Sequence, residues 1–309
     1  MKKILGGLLL GLVPAVLILY FGISWYFSSI VVVFVPTNYA QDPTWNSELI
    51  EESIAPTESF ELQNGDNLLV VDVFDNPADA DCAVITVHGL GGVRSIVRLA
   101  GPMFYDLGCD LMTFDAPYQT NDLPLTYGAR ESEDLTFLIE WYSDHTGLPQ
   151  SNIGIWSESY GGATTMIALP DHPDIPFVVV DSTYSSVYEQ ITEEGRRRYG
   201  ALVNPFIPTA QFFAEQRGGF TFAEVQPAEI IRDLNMPILL IHSAQDGFVL
   251  PVHSERIYAN ANQDITELVI TDWGAPHSRS ISTDEVAYAN IVYDFLREHA
   301  PDFATLPEN

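Results

Sequence analysis

Lysine is almost missing from this sequence. Lys2 and Lys3 are the only lysines among 309 residues, and all 13 basic residues face 42 aspartates and glutamates, a formal net charge of -29. Nucleic acids and anionic bilayers are bound through clustered Lys and Arg that neutralise phosphates, so this deficit excludes nucleic-acid binding. Charge of either sign is absent between Lys3 and Asp42, and Ile4–Val35 is nearly all apolar. A helix of ~20 apolar residues crosses a hydrocarbon core of ~30 Å, whereas the apolar part of a secretory signal is only ~7–15 residues. Residues 1–36 are therefore read as a membrane anchor, with a cleaved signal peptide as the alternative. Either way Lys2 and Lys3 stay on the cytoplasmic side, and the lysine-free, acidic remainder is expected outside. No His/Cys/Asp/Glu cluster has metal-ligand spacing and no G-x-G-x-x-G occurs, so neither a metal nor an organic cofactor is expected. Internal repeats and low-complexity tracts are also missing.

What is present is a large apolar complement, 47% of residues, enough for one α/β domain and an appendage. Residues 37–56 show no period and read as a tether. Glu58–Gln63 and Asn67–Phe74 flank Asn64-Gly65-Asp66, a turn signal between two strands. Buried-strand runs then alternate with helical patterns. Strands are read at Cys82–Val87, Asp110–Phe114, Ile153–Trp156, Phe177–Val180, Ile238–Ile241 and Glu267–Ile270, and helices at Val93–Leu107, Arg130–His145 and Asp284–Glu298. That alternation predicts a mainly parallel sheet covered by helices on both faces and opened by an antiparallel hairpin. Residues 183–234 break the rhythm with helix formers and aromatics, and a segment this long inside a compact domain reads as a lid. It carries the one basic cluster, Arg196-Arg197-Arg198, read as a solvated helix face.

Chemistry concentrates at Gly154–Gly162, GIWSESYGG, where an apolar β-run turns into a helical pattern. A serine at the apex of such a turn is a nucleophile elbow, whose strained backbone needs small residues two before and two after it. Ser157 and Gly161 meet that demand around Ser159; choosing Ser157 instead would put β-branched Ile155 at a flank. A serine hydroxyl needs a base, and the base an orienting acid. His277 alone among the seven histidines sits on a loop after the last strand, in WGAPHSRS; His242 lies inside an apolar strand and reads as a core residue. Asp246 follows the strand ILLIHS and is the preferred acid, with Asp181, at the end of FVVVD, as its rival. Backbone N–H groups of Tyr160, after the serine, and Leu90, in VHGLGGVRS, are the candidate oxyanion donors.

His88-Gly89, the Ser157–Gly161 elbow, Asp246 and His277 in this order resemble the α/β-hydrolase superfamily from about Glu58 onward, most closely small bacterial serine hydrolases with one N-terminal membrane segment. Such relatives often carry a pattern like Tyr127-Gly128…Glu131…Asp134-Leu135. The resemblance implies an α/β-hydrolase fold over 57–309 with the lid insertion, and acyl transfer to Ser159 followed by hydrolysis with water activated by His277. The fold is a poor guide to substrate. A membrane-tethered esterase acting on an apolar or lipid-like ester is the leading expectation; a serine peptidase sharing every motif and a non-catalytic binding scaffold are the alternatives. In this fold the strands led by Cys82 and Cys109 are parallel neighbours, and each cysteine precedes the end of its strand (His88, Asp115) by six residues. Strand spacing of ~4.8 Å falls within the ~4.4–6.8 Å Cα separation of disulfides. A bridge kept by an oxidising exterior and a pair of buried free thiols both fit.

Overall fold

The computed structural model describes residues 2–33, 55–78, 80–92, 94, 97–120 and 123–307. The tether lies almost wholly outside these residues, as does the expected start of the helix at Val93–Ile96 apart from Arg94. Eight strands, β1 (Glu58–Asn64), β2 (Asn67–Phe74), β3 (Ala83–Val87), β4 (Asp110–Asp115), β5 (Ile153–Glu158), β6 (Val178–Asp181), β7 (Ile238–Ser243) and β8 (Thr266–Thr271), form one sheet in the order β1-β2-β4-β3-β5-β6-β7-β8. β2 runs antiparallel to both neighbours and every other pair is parallel. The helices are α1 (Lys2–Val32), α2 (Val97–Tyr105), α3 (Pro117–Thr120), α4 (Glu131–Thr146), α5 (Tyr160–Ala168), α6 (Val187–Tyr199), α7 (Ile207–Gly218), α8 (Pro227–Ile230), α9 (Val252–Asn260), α10 (Ser280–Thr283) and α11 (Glu285–His299). The chain therefore has the α/β-hydrolase fold.

The sheet is sandwiched because its central strands are apolar on both faces. Every residue of β3, β5, β6 and β7 is buried, whereas edge strand β1 alternates. One core lies under α4, where Leu135, Leu138, Ile139 and Tyr142 form a single helical stripe against Ile85, Ile155 and Val180. The other packs α2 and α11 on Val84, Trp156, Val179 and Leu239. Helix α4 starts with Glu131, Glu133 and Asp134 and ends at Gly147 in the left-handed region (φ 74°), charge and conformation both suited to its ends. The Tyr127–Asp134 pattern acts as a brace. Glu131 accepts from Thr126 N–H and Oγ–H and from Gly128 N–H, and Asp134 accepts from Asn64 and Asn67 of the first hairpin.

Cys82 and Cys109 are disulfide-bonded, with Cα atoms 4.7 Å apart. The register pairs Ala83 with Asp110, which sets the two preceding cysteines level at the N-terminal edge of the sheet. The loop they close spans 27 residues, for which chain entropy gives about 3.5 kcal/mol of stabilisation. A Cys82→Ala/Cys109→Ala double variant is expected to lose about that much in chemical denaturation; an unchanged midpoint would show that the bridge constrains nothing the unfolded chain explores.

The apolar N-terminal helix differs from a free-standing segment. Leu12–Val32 is long and apolar enough to cross a membrane, yet its second half packs along α7. Ser24, Ser28 and Val32 on α1 and Ala210, Ala214 and Gly218 on α7 are buried, each series at i, i+4, i+8. Two rows of mostly small side chains let the backbones approach closely. Leu125 N–H donates to Val32 O and Tyr127 Oη to Val31 O, so the end of α1 is bonded into the hydrolase domain.

Candidate active site

At the C-terminal end of β5 the chain reverses into α5 through Ser159, whose backbone sits at φ 50°, ψ -119°. A side-chain-bearing residue there is strained, and the surroundings impose it. Ser159 N–H donates to Asp181 O at 2.7 Å, Thr183 Oγ1 donates to Ser159 O, and α5 presses so closely on β3 that a Cβ on Gly161 would lie 2.5 Å from Val87 O. Ser157, two residues earlier, is fully buried and donates its hydroxyl to Val179 O.

The residues singled out from the sequence meet at this turn. Ser159 Oγ lies 2.8 Å from His277 Nε2, and His277 Nδ1 lies 2.7 Å from Asp246 Oδ2. With the carboxylate accepting from Nδ1–H, Nε2 is left to accept the serine proton. Asp246 sits on the loop after β7 and His277 on the loop after β8, and the two loops are stitched together: Ser243 Oγ donates to Ala275 O at 2.5 Å and Gly274 N–H to Gln245 Oε1. The Phe248 ring lies 5.0 Å from the imidazole. Asp181, the rival acid, instead accepts from Ser182 Oγ at 2.6 Å; burial raises its pKa.

Asp246 is held as a carboxylate by four donors. Oδ1 accepts from the N–H groups of Phe248 and Val249, and Oδ2 from His277 and, at 3.3 Å, from His242 Nε2. Burial alone would raise its pKa, but the two histidines and the backbone donor outweigh it and hold the carboxyl well below the usual carboxylate range. His242 is buried as the sequence suggests, but it is also part of this network. Its Nε2 bonds Val249 O at 2.9 Å and its Nδ1 lies 2.7 Å from Ser254 Oγ. Arg197 of the basic cluster likewise escapes a purely solvated reading: it donates to Gly247 O and stacks over Phe248, tying α6 to the Asp246 loop.

The opposite wall is the loop after β3. His88 is buried and neutral, because desolvation lowers its pKa more than Gly89 O and Asp115 raise it. Its Nδ1 donates to Gly89 O at 2.7 Å while Nε2 accepts from Ala116 N–H. Gly89 N–H donates to Glu158 Oε1 and Gly91 N–H to Tyr118 Oη. Among the described residues, no hydrogen bond from the N–H of Leu90 or of Tyr160 to a protein acceptor is seen; Tyr160 opens α5, where an N–H has no acceptor within the helix. Tyr160, Tyr118, Leu125 and Ala116 form an apolar cluster against Leu90.

Glu158, beside the serine, was not identified from the sequence, because one acidic residue at a strand end carries no signature. It is buried opposite Asp181 in the β5–β6 register. Burial first, then the Asp181 carboxylate, push its pKa from 4.5 up to about 8. The folded chain thus holds a proton between those pH values that the unfolded chain has lost. The stabilisation is complete below 4.5 and disappears as pH rises through about 8. Wild-type stability is expected to fall by roughly 2–3 kcal/mol from this group between about pH 6 and pH 9. Glu158→Gln, neutral throughout and nearly isosteric, should remove that part of the slope in denaturant titrations; an unaltered slope would mean Glu158 is ionised in the native state.

Among the described residues one group, Glu267, Glu298 and His299, brings three potential metal-ligand atoms within 4.8 Å, away from Ser159 at the β8–α11 edge. His299 and Glu267 already bond each other at 3.0 Å.

The model of the prolyl oligopeptidase family (peptidase S9) matches residues 120–302, more than half of the chain. The uncharacterized protein YqkD of Bacillus subtilis is 28% identical over 229 residues, covering 71% of this chain and 72% of the relative. Among solved structures, the esterase Pf2001 of Pyrococcus furiosus superposes with a TM-score of 0.62 at 20% identity, covering 86% of this chain and 97% of that one. The propionate-bound esterase Est2 of Thermogutta terrifontis superposes with a TM-score of 0.60 at 20% identity, covering 86% and 99%.

Proposed function

Because the chain belongs to the prolyl oligopeptidase family, we propose that this hydrolase is a membrane-tethered serine esterase that cleaves a carboxylic ester of an apolar substrate through an acyl-enzyme on Ser159. The observation that carries the reading is the continuous chain Ser159 Oγ, His277 Nε2, His277 Nδ1, Asp246 Oδ2, with separations of 2.8 and 2.7 Å. In it, Ser159 Oγ attacks the carbonyl carbon as its proton passes to Nε2. Asp246 stabilises the imidazolium without taking the proton, and the oxyanion lies between the N–H groups of Leu90 and Tyr160. Collapse of the intermediate passes the proton to the leaving alcohol. Water then repeats the sequence on the acyl-enzyme and releases the acid.

Support for an apolar ester comes from the walls, with Leu90, Tyr118 and Tyr160 on one side and Phe248 on the other. The net charge of -29 disfavours anionic substrates. The two solved neighbours named above are both esterases. The same reading takes residues 1–36 as anchor, 37–56 as tether and 57–309 as the hydrolase domain, with a lid over about 183–234. The domain would lie on the extracytoplasmic side, where the Cys82–Cys109 bridge is kept. The family's name favours a second reading, a peptidase using the same residues. A panel of p-nitrophenyl esters of increasing acyl length against aminoacyl and prolyl anilides separates them. Turnover of esters with little of anilides is expected; kcat/KM higher on anilides would transfer the assignment to the peptidase.

A further inference from the structure

The lid contains the longest uncharged stretch that follows the apolar N-terminal run. Tyr199–Ala214 carries no charged residue, although Arg196, Arg197 and Arg198 precede it and Glu215 and Arg217 follow. It forms the 3-10 turn Gly200–Phe206 and the first two turns of α7. Tyr199 and Phe206 pack on Phe27, and from Pro205 to the end of α7 the contacts with α1 keep step along both chains. Tyr20 Oη bonds Pro205 O and Thr209 Oγ1, Phe21 and Trp25 meet Phe213, Arg217 bonds Ser28 and Ser29, and Gly218 faces Val32. The two helices therefore run parallel, and the uncharged end of the lid points down the anchor toward its N-terminus.

Helix length sets the level of that end. At ~1.5 Å per residue, Tyr20 lies about 27 Å along the axis from Lys2 and Ser28 about 39 Å, against a hydrocarbon core of ~30 Å. The outer boundary then falls near Tyr20, Phe21, Trp25, Tyr26 and Phe27, an aromatic group of the kind that marks membrane–water interfaces. Arg217, the cation on α7, lies above it beside Ser28. Near this level the lid exposes Leu202 (83%) and Phe212 (55%), the latter beside Phe213, which meets the exposed Phe21 and Trp25 of the anchor.

Resting on the anchor reading above, we propose that the uncharged lid segment Tyr199–Ala214 is immersed with α1 in the interfacial layer of the outer leaflet, so that the hydrolase takes its ester from the bilayer. The occupant of this surface is a zwitterionic lipid face, since an acidic protein is repelled by an anionic one. The α1–α7 pairing fixes the lid at one depth, in place of a lid that settles on membranes only by chance encounter.

Both native cysteines are bridged, so a single introduced thiol can be labelled in the unreduced full-length protein. Leu202→Cys, Phe212→Cys and, as a control outside lid and anchor, Val286→Cys (wild-type Val286 is 72% exposed) would carry an environment-sensitive fluorophore and be reconstituted in phosphatidylcholine vesicles. Expected is a blue shift at positions 202 and 212 and loss of their fluorescence when the acyl chains are brominated near the headgroup, with neither at 286. Flotation with the vesicles but no more quenching at 202 and 212 than at 286 would overturn lid immersion and leave the anchor standing. Failure to float would overturn both.

Discussion

Replacing Ser159 with alanine is expected to lower kcat on a short p-nitrophenyl ester by about 10⁵–10⁶-fold, as when a triad nucleophile is removed elsewhere. The structure supplies no substitute. Ser157 is fully buried with its hydroxyl on Val179 O, and Ser182 gives its proton to Asp181. Alanine keeps a Cβ at the strained elbow, so the thermal midpoint should change little while activity disappears. What remains should be the modest catalysis of an oxyanion site without a nucleophile. Retention of more than about a hundredth of the rate would place the nucleophile elsewhere, because loss of a covalent route cannot be so mild.

The second large effect is expected at Asp246→Asn, a loss in kcat of roughly 10⁴-fold with little change in KM. An amide at this position would offer a donor to His277 Nδ1, favouring the tautomer with its proton on Nε2. That nitrogen then no longer accepts from Ser159. The buried surroundings make recovery hard: the same carboxylate is the acceptor for His242 and for the Phe248 and Val249 N–H groups. Asp181→Asn provides the comparison. Its carboxylate serves Ser182 at 2.6 Å, so the change should affect stability more than kcat. If Asp181→Asn proved crippling and Asp246→Asn mild, the acid roles would be exchanged.

Much of this site is readable from sequence because its parts are locally encoded. The elbow announces itself by an apolar strand, small flanking residues and a helical continuation within nine positions of one another, Gly154–Gly162. His277 emerges by elimination, since only a loop after the last strand lets an imidazole turn back over the sheet edge. The level cysteines follow once the resemblance to the α/β-hydrolases makes their two strands parallel neighbours. What escapes is whatever depends on how the chain folds back on itself. His242 looks like core within ILLIHS, and only the return of the loop brings Asp246 Oδ2 to 3.3 Å from it. Arg197 reaches Gly247 and Phe248 from α6. The Ser24–Ser28 and Ala210–Ala214–Gly218 rows are unremarkable separately and gain meaning only when laid side by side. Glu158 belongs here too, its pKa being set by burial and by Asp181 across a strand pair.

The most direct measurement is to treat the full-length protein in detergent with a fluorophosphonate, digest it without reduction, and locate the adduct by mass spectrometry. A single phosphonyl group on Ser159, formed slowly or not at all in His277→Ala, is the result expected of a serine activated through Nε2. An adduct on Ser157 or Ser182, or labelling as fast in His277→Ala as in wild type, would contradict it.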